Sequence, residues 1–486
     1  MSGSLNAITN TAASGLKAVT ASIAVISENV ANAGIANYTS KTQDQSTFEV
    51  GNQVDGVRTG LVTRSVNAAL QASVFTSAGS VGGLTIQSQV LQAVNATQGT
   101  PGDGTSLAGA VSALQTAFTT LQAQPSSTTQ QSTVVQAATT LANTINNTAN
   151  TITSERNSVQ SQIVSTVATL NSALATVQST TQAIMVATAS GQSTSNLEDQ
   201  RDAALQTLSG TLNLTFSKQA DGNITILGQG GFSIPLDATF STSSAVLNPQ
   251  STYTLGTNLS SVPPPILMQT SNPNDPPVDV TNQLSGGQLG ALVQLRDTTL
   301  PAYTTQLDNF SANLATQFST QGLPLFTISG SPTGTISPSP PVTVGLSSTI
   351  QVNTQVTATP SAVRDGIPTQ NTSGDGYTGL IDNVLTKTFA ATITNGTTTT
   401  PGLATQAGNF VAQQSADTSQ AGTDLTNATA YQTTVASALS NGSAVDVDQQ
   451  MGLMIQLQNS YQANAQVITT TSTLFTALLN IFVQSA

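Results

Sequence analysis

The residues best placed to do chemistry sit in one short run, Leu197-Glu198-Asp199-Gln200-Arg201-Asp202, the densest cluster of charge in the sequence. Asp199 and Asp202 could work as a carboxylate pair, one as general acid and one as base or nucleophile, as in glycoside hydrolysis. On a helix surface the same residues would instead give a Glu198–Arg201 pair at i,i+3, a local support of roughly a few tenths of a kcal/mol. Arg296-Asp297, just ahead of Pro301, has the same two readings, and structural support fits both places better than catalysis. Asp446 and Asp448 invite a calcium ion, but two acids without a looped array of oxygens suit an N-cap and the helix dipole better. Gly228-Gln229-Gly230-Gly231 lacks a following Lys-Ser/Thr and opens no helix, so it reads as turns rather than a phosphate cradle.

Composition narrows the chemistry further. Cys, His and Trp are absent from the 486 residues, which removes a thiolate nucleophile, an imidazole base and an ordinary zinc site. Charged residues make up 7% and the net charge is −12; ten Lys and Arg spread over the chain cannot form a phosphate-binding stripe. Neither nucleic acid nor an anionic membrane is therefore an expected partner. No apolar run reaches the roughly 18 residues of a membrane span, and membrane insertion is not expected. The N-terminus lacks a basic n-region, so export would use a route that reads no cleaved signal. We expect no enzyme, no catalytic residue, no metal and no cofactor.

The polar surface is left to Ser, Thr, Asn and Gln, and hydrophobic periodicity must define the elements. Residues 1–33 read as a helix ending near Asn32-Ala33-Gly34. Thr47–Val50 and Gly56–Val62 suggest short extended pieces. Helices are expected over 66–92 and 106–123, with Thr100-Pro101-Gly102-Asp103-Gly104 as a turn between them. Between Ser127 and Ser190 the apolar positions Leu141, Ile145, Ile152, Val159, Ile163, Val167, Leu170, Leu174, Val177 and Ile184 advance by helical spacings, and Gly191 is a plausible stop. A helix over 196–209 leads to a change of period: Leu212, Leu214 and Phe216 alternate with polar residues, Ala220-Asp221-Gly222-Asn223 turns, and Ile224 and Ile226 alternate again, the clearest hairpin in the chain. Strand-like material runs to about 283 and again over 323–395. Helix returns over 288–321, where Pro301 should kink or divide it, and over 404–439, after which Ser440-Asn441-Gly442-Ser443 leads to a terminal helix.

That terminal helix carries a heptad seam. Val447, Met454, Tyr461, Ile468, Phe475 and Phe482 fall seven apart, with Leu457, Asn464, Thr471 and Leu478 between them. The N-terminal helix carries a matching row of Leu5, Ala12, Val19 and Ile26, flanked by Ile8, Leu16, Ile23 and Val30. From periodicity alone two readings stand: helices of an ordinary core, or ends that assemble. Asn464 and Thr471 favour the second, since polar residues in a seam set register at a cost in stability. The fold class is α+β and multidomain, an elongated helical bundle or coiled coil formed by both terminal segments, with an inserted, mainly β domain. The expected groupings are 1–50 with 440–486 as a terminal helical core, 51–210 with 284–322 and 396–439 as a helical rod, and 211–283 with 323–395 as a β-rich outer domain.

Several stretches carry a family resemblance. Ser27-Glu28-Asn29-Val30-Ala31-Asn32-Ala33 and Ser460-Tyr461-Gln462-Ala463-Asn464-Ala465-Gln466-Val467-Ile468, the latter followed by Leu474-Phe475 and Leu478-Leu479-Asn480-Ile481, resemble the two ends of flagellar axial proteins. The interior stretches Leu197–Asp202, Gln219-Ala220-Asp221-Gly222, and Gly286-Gly287-Gln288-Leu289-Gly290-Ala291-Leu292, running on to Arg296-Asp297 and Leu300-Pro301, resemble the hook-associated, hook–filament junction members of that family. One departure is Ile35-Ala36-Asn37-Tyr38 where the family usually has Thr-Pro-Gly-Tyr; Asn37 can take the left-handed conformation such a turn needs. Another is Ser40 where Arg commonly stands, with Lys41 one place later. The resemblance implies export through the flagellar type III apparatus and self-assembly as a ring at the hook tip, outside the cell. The terminal helices would pair and line the inner core. The implied partners are further copies of the chain, the hook protein, a second junction protein, and an export chaperone on the C-terminal helix. Another axial protein (hook or distal rod) and, behind it, a secreted adhesin are the competing readings.

Overall fold

With few charges to pair, the hydroxyls of this chain turn back on their own helices. Thr9, Thr20 and Ser27 each donate to the carbonyl four residues earlier, as do Thr139, Thr140, Thr144 and Thr153 further on. This local bonding satisfies Ser and Thr inside helices that they otherwise weaken. It leaves the regular apolar spacing to decide where helices form. The computed structural model describes residues 2–35, 37–50, 53–97, 99, 106–255, 262–272, 274–328, 344–371, 373–395 and 398–484. The expected turn over Thr100–Gly104 lies outside them.

In chain order the elements are α1 (Ser2–Asn32), β1 (Lys41–Val50), β2 (Gln53–Arg64), α2 (Ala68–Ala96), α3 (Leu107–Ala123), α4 (Thr128–Ala189) and α5 (Ser195–Thr211). Then follow β3 (Leu214–Lys218), β4 (Ile224–Gly228), β5 (Ser233–Ile234), β6 (Thr239–Ser241), β7 (Leu267–Gln269), β8 (Val278–Asp279), α6 (Gly287–Gln294) and α7 (Leu300–Thr320). The remainder comprises β9 (Phe326–Ile328), β10 (Ile350–Val352), α8 (Thr354–Ala358), α9 (Ala362–Asp365), α10 (Gly379–Asn383), β11 (Thr392–Asn395), β12 (Thr398–Pro401), α11 (Leu403–Ser443) and α12 (Val447–Gln484). The fold is α+β: long helices at both ends and small antiparallel sheets between them. The chain divides into two units, and the divisions fall within α2, α4, β6 and α11.

The first unit comprises Met1–Ser80, Thr169–Thr239 and Ala428–Ala486. Here α1 lies against α12 and against the β1–β2 hairpin. The hairpin is pinned to α1 by polar contacts: Val57 N donates to Ser14 Oγ at 3.0 Å and Thr11 Oγ1 to the Asp55 carbonyl at 3.2 Å. Gly56 lets the strand come this close, because a Cβ there would stand 2.3 Å from Ser14 Oγ. The expected hairpin over 212–226 forms as β3 and β4, with β5 added to β4. Its turn is closed by Gly222 at φ +90° and by Asn223 N donating to Asp221 Oδ1. Gly191 ends α4 at φ +64°.

The second unit comprises Val81–Ala168 and Phe240–Asn427. Phe318 packs against Phe118, Phe326 and Phe389 with ring centroids 5.5–5.8 Å apart. Pro301 divides the expected 288–321 helix as its missing N–H requires. Residues Leu295–Thr299 form one π-helical turn, and Leu300 N bonds to the Leu295 carbonyl before α7 begins. Two expectations need correction. Residues 323–395 are not mainly strand: besides short β9, β10 and β11 they form α8, α9, α10 and a helical turn at Val384–Thr388. Leu380, Ile381 and Val384 are buried at helical spacing, and Asn353 caps α8 by accepting from Gln355 N. Residues 329–343 lie outside the described residues. Second, Ser440-Asn441-Gly442-Ser443 is no linker, since α11 continues through it. The segments expected to share an outer β domain also fall in different units, β3–β5 in the first and residues 240–283 in the second.

The π turn exists around a buried cation. Arg296 is 0% exposed; it donates to Asp297 Oδ1 and Oδ2 at 2.8 and 2.7 Å, to Gln160 Oε1 at 2.8 Å and to the Pro264 carbonyl at 2.9 Å. Arg156 completes the knot by donating to the Arg296 and Ser251 carbonyls. Arg296→Met would leave Asp297, Gln160 and a carbonyl without their donor. We expect a loss of about 3–5 kcal/mol, read from urea unfolding; a change below about 1 kcal/mol would show that this knot is not what holds the second unit.

Candidate functional site

The seam between α1 and α12 is closer and more polar than its apolar rows suggest. On α1, Ala12, Val19 and Ile26 are buried, Leu5, Leu16, Ile23 and Val30 half-buried, and Ile8 exposed. On α12, Met454, Leu457, Asn464, Ile468 and Leu478 are half-buried, whereas Val447, Tyr461 and Phe475 are exposed. Phe482 lies outside the residues whose side chains are described. Among the described side chains of α12, Gln450 and Thr471 are the buried ones, in the same heptad row as Leu457, Asn464 and Leu478. Gly15 permits the close approach: a Cβ there would stand 3.2 Å from the Asn464 side chain. Asp446 caps α12, its Oδ1 accepting from Gln449 N at 3.0 Å.

Asn29 governs the register. It is 0% exposed, and both ends of its amide are filled. Its Nδ2 donates to the Lys41 carbonyl at 2.9 Å and to Gln450 Oε1 at 3.0 Å. Its Oδ1 accepts from Lys41 N at 3.0 Å and from Tyr38 Oη at 3.1 Å. One side chain thus joins α1, the start of β1 and α12. Asn37, at φ +64°, turns the chain so that Tyr38 reaches back, the left-handed conformation the sequence allows there. Burial, with the negative charges of Glu28 and Asp199, pushes the Tyr38 hydroxyl up to about 12, so it remains a donor. Ser40 N donates to the Ser443 carbonyl at 2.7 Å, tying this turn to the end of α11.

Beside Asn29 lies the charge cluster. The acids of α5 do not pair along their own helix as expected. Arg64, at the end of β2, takes three of them: Glu198 at 2.6 Å, Asp199 at 3.0 Å and Asp202 at 2.6 Å. Lys41, whose side chain is 1% exposed, pairs with Glu28 at 3.0 Å and Asp199 at 3.8 Å, and donates to Asn196. Lys218 of β3 pairs with Asp202 at 3.0 Å, and Gln71 of α2 donates to the same carboxylate at 2.6 Å. Thr39 Oγ1 donates to Asp199 Oδ1 at 2.6 Å. Arg201 instead donates to the Gly222 carbonyl at 2.7 Å, in the β3–β4 turn. The cluster therefore joins the α1–β1 connection, β2, α2, α5 and β3.

This arrangement does not suit acid–base chemistry. Burial opposes ionisation of Asp202, but Arg64 and Lys218, with hydrogen bonds from Lys218 and Gln71, more than offset it and hold its carboxyl below the usual range. A general acid needs the opposite shift. Glu198 behaves alike: burial raises its pKa, while Thr194 and Arg64 lower it further, and the net shift is downward. Among the described residues no three His, Cys, Asp or Glu side chains could hold a metal ion together, and no helix is long and apolar enough to cross a membrane. Gln450 continues the Leu457–Asn464–Thr471–Leu478 row by one heptad, but Arg64 and Gln71 had no signal in sequence spacing. Their signal was scarcity: in a chain with so few charges, a run of three acids must find its cations elsewhere.

These shifts have a sign that pH can read. Folded-state pKa values depressed below the unfolded ones contribute stability that is present above about pH 4 and lost as pH falls through the folded values. The melting temperature should hold steady from pH 7 to about 5 and drop below about 4. Asp202→Asn should be less stable at pH 7 and show a shallower acid limb. Parallel acid limbs in circular dichroism melts of the two proteins would rule out Asp202 as a contributor.

Residues 91–335 match the family model described as the flagellar hook-associated protein FlgK helical domain, and residues 436–481 match the flagellar basal body rod FlgEFG protein C-terminal model. No curated protein matches. Among solved structures, the flagellar hook junction protein FlgK from Burkholderia pseudomallei is similar at 23% identity and a TM-score of 0.44, over 54% of this chain and 47% of that one. The chain thus spans about half the length of that relative. The helical-domain match takes in just over half of the 486 residues, and the chain belongs to the family of flagellar hook-associated proteins that carry this domain.

Proposed function

We propose that this protein is a structural component of the bacterial flagellum that forms the junction between hook and filament by self-assembly through its paired terminal helices. The observation that carries the reading is the state of α12. Its polar row is packed on α1, while Met451, Leu453, Ile455, Leu474, Phe475 and Leu479 remain exposed along the helix. Apolar side chains in such number on one long helix mark a surface that another protein covers. Pairing inside one subunit leaves that surface wet, and contacts with neighbouring subunits would bury it. The partners we infer are further copies of the chain in a ring, the hook protein, a second junction protein, and an export chaperone that shields α12 before assembly. The location is the extracellular flagellum. No enzymatic activity belongs to this role. A rod or hook protein would account for the match over 436–481 alone; the interior match over 91–335 favours the junction.

Ile468 is half-buried on the α12 seam within the first unit, and Ile468→Asp sets a charge in that seam. Cells carrying it should lose filaments while keeping hooks, and antibody labelling in electron micrographs should find no protein at hook tips. The purified variant should keep the urea transition of the second unit. Normal filaments on these cells would remove the seam from the assembly mechanism, and wild-type label along the hook or rod would move the protein to another axial position.

A further inference from the structure

Three cations of the charge cluster divide its carboxylates among themselves: among the described residues, Arg64, Lys41 and Lys218 account for the ion pairs made by Glu28, Glu198, Asp199 and Asp202. Arg201 is left over. It is 3% exposed, its Nη1 donates to the Gly222 carbonyl, and among the described residues it has no carboxylate partner. Its Nε is buried without an acceptor. A guanidinium withdrawn from water with no carboxylate in contact has lost solvation that nothing directly replaces, and such groups are normally paired. Burial lowers the pKa of Arg201, and Asp202 and Glu198 do not fully restore it.

Arg201 lines a cavity of about 320 Å³, formed by the end of α4, the start of α5 and the β3–β4 turn. Lys218, whose Nζ also donates to Asp202 and to Gln71 Oε1, lines the same space and brings its positive charge to it, as the neutral donors Thr188, Gln192 and Gln219 bring theirs. Glu198 also lines it, but its two oxygens are taken by Arg64 and by the Thr194 hydroxyl. The wall is firm: Gly222, whose carbonyl fixes the guanidinium, is packed so closely on α4 that a Cβ there would stand 2.6 Å from Ile184 Cγ2. We propose that this cavity is a binding site for a small oxyanion, phosphate, sulfate or a carboxylate, held by Arg201 and Lys218. Guanidinium and ammonium groups presented together in a partly enclosed space suit that chemistry, since charge-assisted hydrogen bonds to an oxyanion are the strongest a side chain makes. The inference stands apart from the role in the flagellum.

The test uses the full chain. Inorganic phosphate, sulfate, acetate and chloride are compared at one ionic strength by thermal unfolding and by isothermal titration calorimetry. Phosphate or sulfate at about ten times its dissociation constant should raise the unfolding midpoint by about 2–4 °C over chloride. A response to acetate alone would assign the site to carboxylates, including an acidic side chain of a neighbouring copy. Arg201→Gln should abolish the response. Because Arg201 also holds the hairpin turn, Thr188→Glu provides a second arm: it places a carboxylate at the mouth of the cavity and leaves Arg201 in place. That variant should melt higher than the parent in chloride and lose the oxyanion response. Equal midpoints in all four salts with no calorimetric binding would overturn the proposal, as would an undiminished response in Thr188→Glu.

Discussion

The first unit depends on one amide. Asn29 has two donors and an acceptor with room for two, and all four capacities are met at once, by the Lys41 main chain, Tyr38 and Gln450. An amide buried in this way tolerates no slippage. Moving α12 along α1 by a heptad would strand both Nδ2 of Asn29 and Oε1 of Gln450, and an unsatisfied buried polar group costs about 1–3 kcal/mol. Apolar rows alone would not impose this. A stripe of Leu, Ile and Val packs nearly as well one heptad along, so the polar contact sets the register while the apolar contact supplies the attraction.

Gly15 and Asn464 act with it at a second level. The glycine lowers the wall between the two helices, and the Asn side chain fills the space. Two polar checkpoints, Asn29 with Gln450 and Gly15 with Asn464, then lie along one seam. They fix which row of α12 packs on α1, while the larger apolar groups Met451, Leu453, Ile455, Leu474, Phe475 and Leu479 stay exposed at other positions around the helix. The helix that packs on α1 is therefore also the one that leaves large apolar side chains exposed.

How much of this the sequence disclosed follows from the range of each interaction. The long helices, the Gly191 stop, the β3–β4 hairpin, the division at Pro301 and the Asp446 cap are local, and local spacing revealed them. The seam residues were visible as rows. Which row would be buried was not, because Gln450 and Thr471 look like surface residues until Asn29 and α1 stand opposite them. The cluster on α5 was visible as charge but misread as pairing within one helix, since its counter-ions come from residues 41, 64 and 218. The middle of the chain misled for a different reason: its many Ser, Thr, Gly and Pro residues suggested strands and turns. The short helices α8, α9 and α10 are fixed by buried anchors such as Val356, Val363 and Leu380, too few for periodicity to register.

The scarcity of charge itself argues for the role of the cluster. A chain with ten basic residues places Lys41, Arg64, Arg201 and Lys218 in one neighbourhood beside its paired ends. As net stabilisers such pairs are weak, because desolvation cancels most of the attraction. As specifiers they are strong, because any misfit strands a charge. Arg64 cannot reach Glu198, Asp199 and Asp202 unless β2 and α5 are correctly docked, and Lys41 cannot meet Glu28 and Asp199 unless β1 is docked as well. Asn29 reads the position of β1 through Lys41 N and passes it to Gln450. The position of α12, and with it which of its side chains stay exposed, is thus fixed by electrostatic and hydrogen-bonded contacts two steps removed from the helix itself.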